Sequence, residues 1–194
     1  DLATSAAYRA LEGAAVLLLQ LEVPLEATLA AAAAGRRHGA TVILNLAPAR
    51  QLDAGELQDV DLLLVNEHEA GVQLGSDADD QTPGEWAAAL CRLVPAAVVT
   101  LGSDGAVWAR RRDPAQPNSR VESGYVPAFR VAPVDTTGAG DAFGGALAYS
   151  LAAARAQGEE ADLGEAVRFA SAAGAVTTTR QGAQPSLPTL GEVT

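Results

Sequence analysis

Twelve residues constrain this chain more than any others: Val134-Asp135-Thr136-Thr137-Gly138-Ala139-Gly140-Asp141-Ala142-Phe143-Gly144-Gly145. Upstream, Val121 to Val131 reads as extended; downstream, Ala139 to Ala154 is rich in Ala and Leu and reads as a helix. The glycines therefore fall where extended chain hands over to a helix N-terminus. The first N–H groups of a helix lack intrahelical partners and carry a partial positive charge, so such a turn suits a phosphate. Gly138 and Gly140 let the backbone approach an anion with no Cβ in the way. No Gly-Lys-Ser/Thr follows, which excludes a Walker loop, and Gly138-x-Gly140-x-x-x-Gly144 misses the dinucleotide spacing. Instead Asp141 follows the glycines directly. Beside a bound phosphate a carboxylate only repels, but it suits an attacking hydroxyl that must lose its proton. The plainer alternative is a glycine-rich helix start with Asp141 as a first-turn partner of the dipole.

The rest of the chain supplies a scaffold for that turn. Asp1 to Leu11 reads as a short helix, and Ala14 to Gln20 as a strand buried on both faces, because its apolar run is nearly continuous. Pro24 opens a helix to about Arg37. Further strands are expected at Thr41–Leu46, Asp61–Val65, Ala96–Leu101 and Ala106–Ala109, and further helices at Glu67–Leu74, Pro83–Leu93 and Leu163–Thr178. Ser103-Asp104-Gly105 reads as a hairpin turn, Gly75–Thr82 and Arg110–Ser119 as solvated loops, and Gln181–Pro188 as an irregular tail. Alternating strands and helices predict an α/β fold, a mainly parallel sheet with helices on both faces, in a single domain spanning 1–194. Ligands of such sheets bind beyond the C-terminal strand ends, which makes Glu22, Asn45, Asn66, Glu69 and Thr100 to Gly105 site candidates.

Charge and cysteine usage narrow the partners. The net charge of −11 argues against nucleic acid and anionic membrane. It leaves ATP open, since a local anion site and Mg²⁺ bind phosphate on an acidic protein. No run is long and apolar enough to span a membrane. Cys91 is the only cysteine, which excludes an intrachain disulfide and points to a reducing cytoplasm. The chain has no methionine and is read as a piece of a longer protein.

Asp-Thr-x-Gly-Ala-Gly-Asp-x-Phe, here Asp135 to Phe143, resembles the C-terminal signature of the ribokinase-like (PfkB) sugar kinases. The resemblance implies a three-layer α/β/α fold and transfer of phosphate from ATP to a sugar hydroxyl. Asp141 is then the general base and a sugar contact, and the N–H groups of Gly138, Ala139 and Gly140 form the anion hole. Asn66-Glu67-His68-Glu69 is similar to the family's Asn-x-x-Glu, in which Asn66 would contact nucleotide phosphates and Glu69 the water shell of Mg²⁺. Read without the family, the same residues are a helix cap with Glu69 at the capping-box position.

Further segments carry the likeness through most of the chain. Thr100-Leu-Gly102-Ser103-Asp-Gly105 resembles a nucleotide-bordering turn of the family, and Ser171 falls where the family has a nucleotide-contacting Asn or His. Gln20-Leu-Glu22-Val-Pro24 resembles a segment whose glutamate binds the sugar, and Asn45 to Ala49 resembles a neighbouring one. Thr179 to Ser186 resembles a loop that binds a monovalent cation, usually K⁺. The implied ligands are Asp135, the Thr137 carbonyl, carbonyls at Thr177, Arg180 and Gly182, and Ser186.

The family's N-terminal part, with its Gly-Gly sugar loop and β lid, has no counterpart in these residues. By itself this chain is expected to expose a sheet edge, bind nucleotide weakly and turn over no sugar. Ribose is the expected substrate; fructose, deoxyribose or a nucleoside stay open, as does a non-catalytic nucleotide-binding module. The resemblance allows a homodimer of the intact enzyme.

Overall fold

Hydrophobic runs of four to six residues, separated by Ala-rich helical stretches, become the strands and helices of an α/β protein. The computed structural model describes residues 11–75, 81–116 and 118–194, so the helix expected over Asp1 to Leu11 lies almost wholly outside the described residues. The strands are β1 (Val16–Leu19), β2 (Thr41–Asn45), β3 (Leu62–Asn66), β4 (Ala96–Thr100), β5 (Ala106–Arg111) and β6 (Val121–Val126). The helices are α1 (Leu25–Arg37), α2 (Glu67–Leu74), α3 (Pro83–Leu90), α4 (Ala139–Ala156), α5 (Leu163–Thr178) and a terminal turn α6 (Leu190–Val193).

The six strands lie in sequence order, β1 to β6. β1 to β4 pair in parallel, with Val16 opposite Thr41, Leu64 opposite Asn45, and Asn66 opposite Thr100. Four residues separate β4 from the first residue after its turn, far too few for a crossover, so β5 returns through a hairpin closed by Leu101 N–H to the Gly105 carbonyl at 2.8 Å. Val42 to Leu44, Leu62 to Val65 and Ala97 to Val99 are each buried without a break, so both faces of the sheet's centre are covered. β1 departs from expectation. Its four residues are only half-buried, because among the described strands it lies at the edge of the sheet.

The chain divides into two compact units, described in turn. The first comprises Asp1–Thr100 and Val107–Ser123. In it α1 is placed by chemistry at both ends. Glu26 stands in its first turn and Arg36 and Arg37 in its last, each favourable to the helix dipole, and Gly39 at φ 76° stops it. A Cβ on Gly35 would come 2.7 Å from Leu17 Cδ2 and 3.3 Å from Val42 Cγ2, so this glycine lets α1 lie close on β1 and β2. Asp61 joins three elements: it accepts from Arg36 Nη1 at 2.9 Å and from the Val42 N–H at 2.9 Å, just before β3.

Two expectations in this unit are corrected. β5 runs on through Arg110 and Arg111, which were expected in a solvated loop. Strand alternation turns Arg111 inward, where it is buried, while Arg110 pairs with Glu122 on β6 at 3.3 Å. α3 stops at Leu90, and Cys91 caps it instead of lying within it. The cysteine is nonetheless core, and burial pushes its thiol up to about 12.

The second unit comprises Leu101–Ala106 and Gly124–Thr194. Its core is the pair of consecutive helices α4 and α5, whose residues Phe143, Leu147, Ala166, Val167, Ala170 and Ala173 are buried. Tyr149 and Phe169 stack at the rim with ring centres 6.0 Å apart. The extended segment expected over Val121 to Val131, interrupted at Pro127, forms a strand only up to that proline: β6 ends at Val126, and residues 127–138 carry no strand. The tail expected to be irregular contains a single 3₁₀ turn, Gln184–Ser186, before α6.

Candidate active site

Two of the candidate residues in the first unit are brought together by strand register. Asn66 and Thr100 are partners at the C-terminal ends of β3 and β4, and the Thr100 hydroxyl reaches the Val65 carbonyl at 3.4 Å. Asn66 is the N-cap of α2. Its Oδ1 accepts from the Glu69 N–H at 2.9 Å, while Glu69 Oε2 accepts from the Asn66 N–H at 2.8 Å and Oε1 from Asn66 Nδ2 at 2.9 Å. The capping box therefore exists, and it engages both carboxylate oxygens of Glu69. Glu69 is 8% exposed, and burial raises its pKa against the opposing pull of the Asn66 N–H and the His68 charge. Glu22 is exposed after β1, and the structure gives it no contact with the other candidates. The Gln20 carbonyl beside it accepts from the Thr28 hydroxyl at 3.2 Å, and the Leu21 N–H donates to the Ala47 carbonyl at 2.8 Å, beside the cis Ala47–Pro48 bond.

In the second unit the turn after β4 is a 3₁₀ turn over Gly102–Asp104. Its two glycines differ. Gly102 sits at φ 55° with nothing within 4 Å of where a Cβ would stand, so it faces open space. Gly105 sits at φ 100°, and a Cβ there would lie 2.1 Å from the Val126 carbonyl oxygen and 2.8 Å from the Ala128 nitrogen. At Gly105 the chain approaches itself this closely only because there is no side chain. Ser103 is exposed between them, and the Tyr125 hydroxyl ties the turn down by donating to the Asp104 carbonyl at 2.7 Å.

The twelve-residue stretch is pinned at its start and open at its glycines. The N–H groups of Val134 and Asp135 donate to the Thr178 carbonyl at 2.7 and 3.1 Å, satisfying one of the carbonyls left over at the end of α5. Asp135 Oδ1 accepts from the Thr137 hydroxyl at 2.7 Å and the Thr137 N–H at 2.9 Å. Its Oδ2 accepts from the Gly182 N–H at 2.9 Å. These donors, Gly182 foremost, lower its pKa to about 2. Gly138 caps α4 in the left-handed conformation at φ 80°, and a Cβ on it would lie 3.3 Å from Ala183 Cα. Thus Asp135, Thr137, Gly138 and Gly182 form one cluster.

The three expected anion-hole donors are not equivalent. The Ala139 N–H turns back to the Thr136 carbonyl at 3.2 Å. The N–H groups of Gly138 and Gly140 have no acceptor among the described residues, and a Cβ on Gly140 would meet nothing within 4 Å. Asp141 is exposed in the first turn of α4, one residue beyond.

The remaining candidates flank this cluster. Thr177 and Ser186 are fully buried, their hydroxyls donating to the carbonyls of Ala173 at 2.9 Å and Ala183 at 2.6 Å. The Arg180 N–H reaches the Thr177 carbonyl at 3.3 Å. Ser171 bonds only back along its own helix, to the Val167 carbonyl at 2.8 Å. Sequence reasoning missed Thr178 and Glu192. The latter pairs with the Arg180 guanidinium and closes a capping box with Thr189, and these partners hold its pKa down to about 2. The Thr189-x-x-Glu192 spacing was the available signal.

Comparison with known proteins places this architecture. The Arabidopsis thaliana ribokinase complexed with ribose and ATP superposes with a TM-score of 0.79 at 28% identity, over 96% of this chain and 56% of that one. The fold is ribokinase-like α/β. The pfkB family carbohydrate kinase profile matches residues 1–190, and the chain belongs to that family. It is 35% identical over 178 residues to a ribokinase of Haemophilus influenzae and 37% identical over 180 residues to a deoxyribokinase of Salmonella typhi. These alignments cover 91% and 90% of this chain but 53% of each relative, so the chain spans about half the length of the curated relatives it matches. Among the described residues no helix is long and apolar enough to cross a membrane.

Proposed function

We propose that this protein phosphorylates a sugar hydroxyl with ATP, and that D-ribose, giving ribose 5-phosphate, is its best substrate. The observation that carries the reading is the start of α4: two unpartnered glycine N–H groups with a carboxylate one residue further on, in a chain of the pfkB family. Asp141 takes the proton of the sugar's primary hydroxyl. The hydroxyl oxygen then bonds to the γ-phosphorus as the bond to the ADP oxygen breaks. The N–H groups of Gly138 and Gly140 receive the negative charge that builds on the phosphoryl oxygens, with Ala139 contributing less because its N–H is engaged.

The same reading assigns the flanking residues. Asn66, Thr100, Gly102, Ser103, Gly105 and Ser171 border the nucleotide, and Glu22 hydrogen-bonds the sugar. Mg²⁺, when bound, neutralises phosphate charge. Glu69, whose carboxylate is held in place by Asn66, would hold the metal's water shell. K⁺, when bound, supplies a fixed positive charge beside the anion hole. The donor set suits it: Asp135 is held ionised with acceptor capacity left on Oδ2, and the Ser186 hydroxyl spends its hydrogen on Ala183 and keeps its lone pairs. Both units belong to one catalytic domain under this proposal.

Deoxyribose is a second reading, supported by the comparable identity to the deoxyribokinase. A screen of sugars against the full-length protein by coupled ADP release separates the two. Ribose with the highest kcat/KM is expected; a higher value for deoxyribose transfers the assignment, and no sugar-dependent release at all overturns the kinase reading.

A further inference from the structure

We infer that Gly174 is a positioning residue for the anion hole: by having no side chain, it sets how closely α5 approaches the first turn of α4. A Cβ on Gly174 would lie 3.3 Å from the carbonyl oxygen of Ala139 and 3.8 Å from Phe143 Cβ. Ala139 stands between Gly138 and Gly140, the residues whose N–H groups are open. Contact at this point is with backbone, which cannot rotate aside as a side chain does. The only relief is a displacement of the helix start by a few tenths of an ångström. Gly174 itself is buried and lies between Ala173 and Thr177, both packed inward, so its face of α5 is the one against α4.

The surroundings leave little slack for that displacement. From one side Gly138 abuts Ala183, where a Cβ would meet Cα at 3.3 Å, and from below Phe143 is buried in the same helix pair. The Ala139 N–H is held by Thr136, and the preceding Asp135 by Gly182. A push on the Ala139 carbonyl therefore rotates the peptides on either side, and these carry the open donors. Electrostatic stabilisation of a developing charge depends steeply on such alignment, so a small rotation matters at the transition state more than in the bound ground state.

This inference rests on the kinase reading for its catalytic part, and the test separates the two. Gly174→Ala is made in the full-length protein beside Gly84→Ala, a helical glycine in α3 with open space around it. Alanine favours a helix interior, so the variant is expected to fold. The expected results are displaced amide signals for Gly138 and Gly140 in ¹H–¹⁵N spectra, a kcat about 10–10²-fold lower, and KM for ATP little changed. Gly84→Ala is expected to change none of these. A purely structural role for Gly174 predicts a lower Tm with wild-type kcat in the folded fraction, and that outcome overturns the inference. If wild type shows no sugar-dependent turnover, the kinase reading fails and the amide signals decide alone: displaced signals support the positioning role, and unmoved signals remove it.

Discussion

Glu69 and Asp135 are both carboxylates wrapped by neighbouring donors, and their acidities move in opposite directions. Glu69 sits in the first turn of α2, buried, with its two oxygens taken by the N–H and side-chain amide of one residue, Asn66. Removal from water outweighs those bonds and raises its pKa. Asp135 is more open and receives donors from two places, Thr137 next to it and Gly182 across the cluster, and it falls to about 2. The lesson is that a count of hydrogen bonds does not predict charge. A carboxylate keeps its charge when water still helps its donors, and loses part of that preference when it must rely on them alone.

Asp141 gives the sharpest way to extend the contrast, because in the proposed mechanism it is the carboxylate that changes protonation during turnover. Asp141→Asn keeps the size and cannot take a proton. In the full-length protein kcat is expected to fall ~10²–10⁴-fold with ATP affinity little changed. A kcat within a few-fold of wild type would falsify the general-base role.

Asp135→Asn tests the held carboxylate of the same stretch. An amide cannot match the donors on both oxygens and carries no charge for a cation. The wild type is expected to be faster in K⁺ than in a large organic cation at equal ionic strength, and the variant to be equally slow in both. Equal wild-type rates in the two salts would leave Asp135 a purely structural anchor.

Two glycines in the turn after β4 probe the frame around these groups. Gly105→Ala drives a Cβ into the Val126 carbonyl and is expected to destabilise on the order of 3 kcal/mol. Gly102→Ala meets no neighbour and pays only for its backbone conformation, roughly 1–2 kcal/mol. Urea unfolding compares them, and similar midpoints for both would contradict the close approach at Gly105.

The smallest effect is the most direct break of the opening contrast. Glu69 has a folded pKa above its ordinary 4.5, so its contribution to stability is present below that value and is lost as pH rises through the folded one. Asp135 has a folded pKa of about 2 against an ordinary 3.8, so its contribution is present above 3.8 and lost as pH falls towards 2. Urea midpoints measured against pH should therefore carry two slopes of opposite sign. Glu69→Gln should flatten the upper one and Asp135→Asn the lower one. Carboxyl NMR titrations that placed both groups on the same side of their ordinary values would end the comparison.

Much of this was legible in the chain because it is local. The β2, β3 and β4 runs are apolar through their centres, and α2 and α5 fall on their expected bounds, since caps such as Asn66 and Asp162 are written in the residues beside them. The Asp135–Asp141 loop stands out by its glycines at a helix start and by its resemblance to the family signature. What could not be read is what depends on partners distant in sequence. β1 has the unbroken apolar run of a strand buried on both faces and is only half-buried. Arg111 looks solvated and is turned inward by the phase of its strand. The close approach of Gly105 to Val126 has no local signal, and Gly174 carried no motif at all.

The hydrogen bond from Gly182 to Asp135 spans 47 residues of sequence, and both α4 and α5 lie inside that span. In time, this means the bond cannot form until the two helices have docked, since closing so long a loop is entropically unfavourable without their contacts. Helices themselves form within about a microsecond. On refolding, helical circular dichroism should return first, and the loop from Asp135 to Asp141 should be among the last parts to acquire its shape. Under the proposed kinase function, an assay of recovered turnover in the full-length protein would then lag the spectroscopic signal, and the lag would measure how long the protein looks folded before it can work.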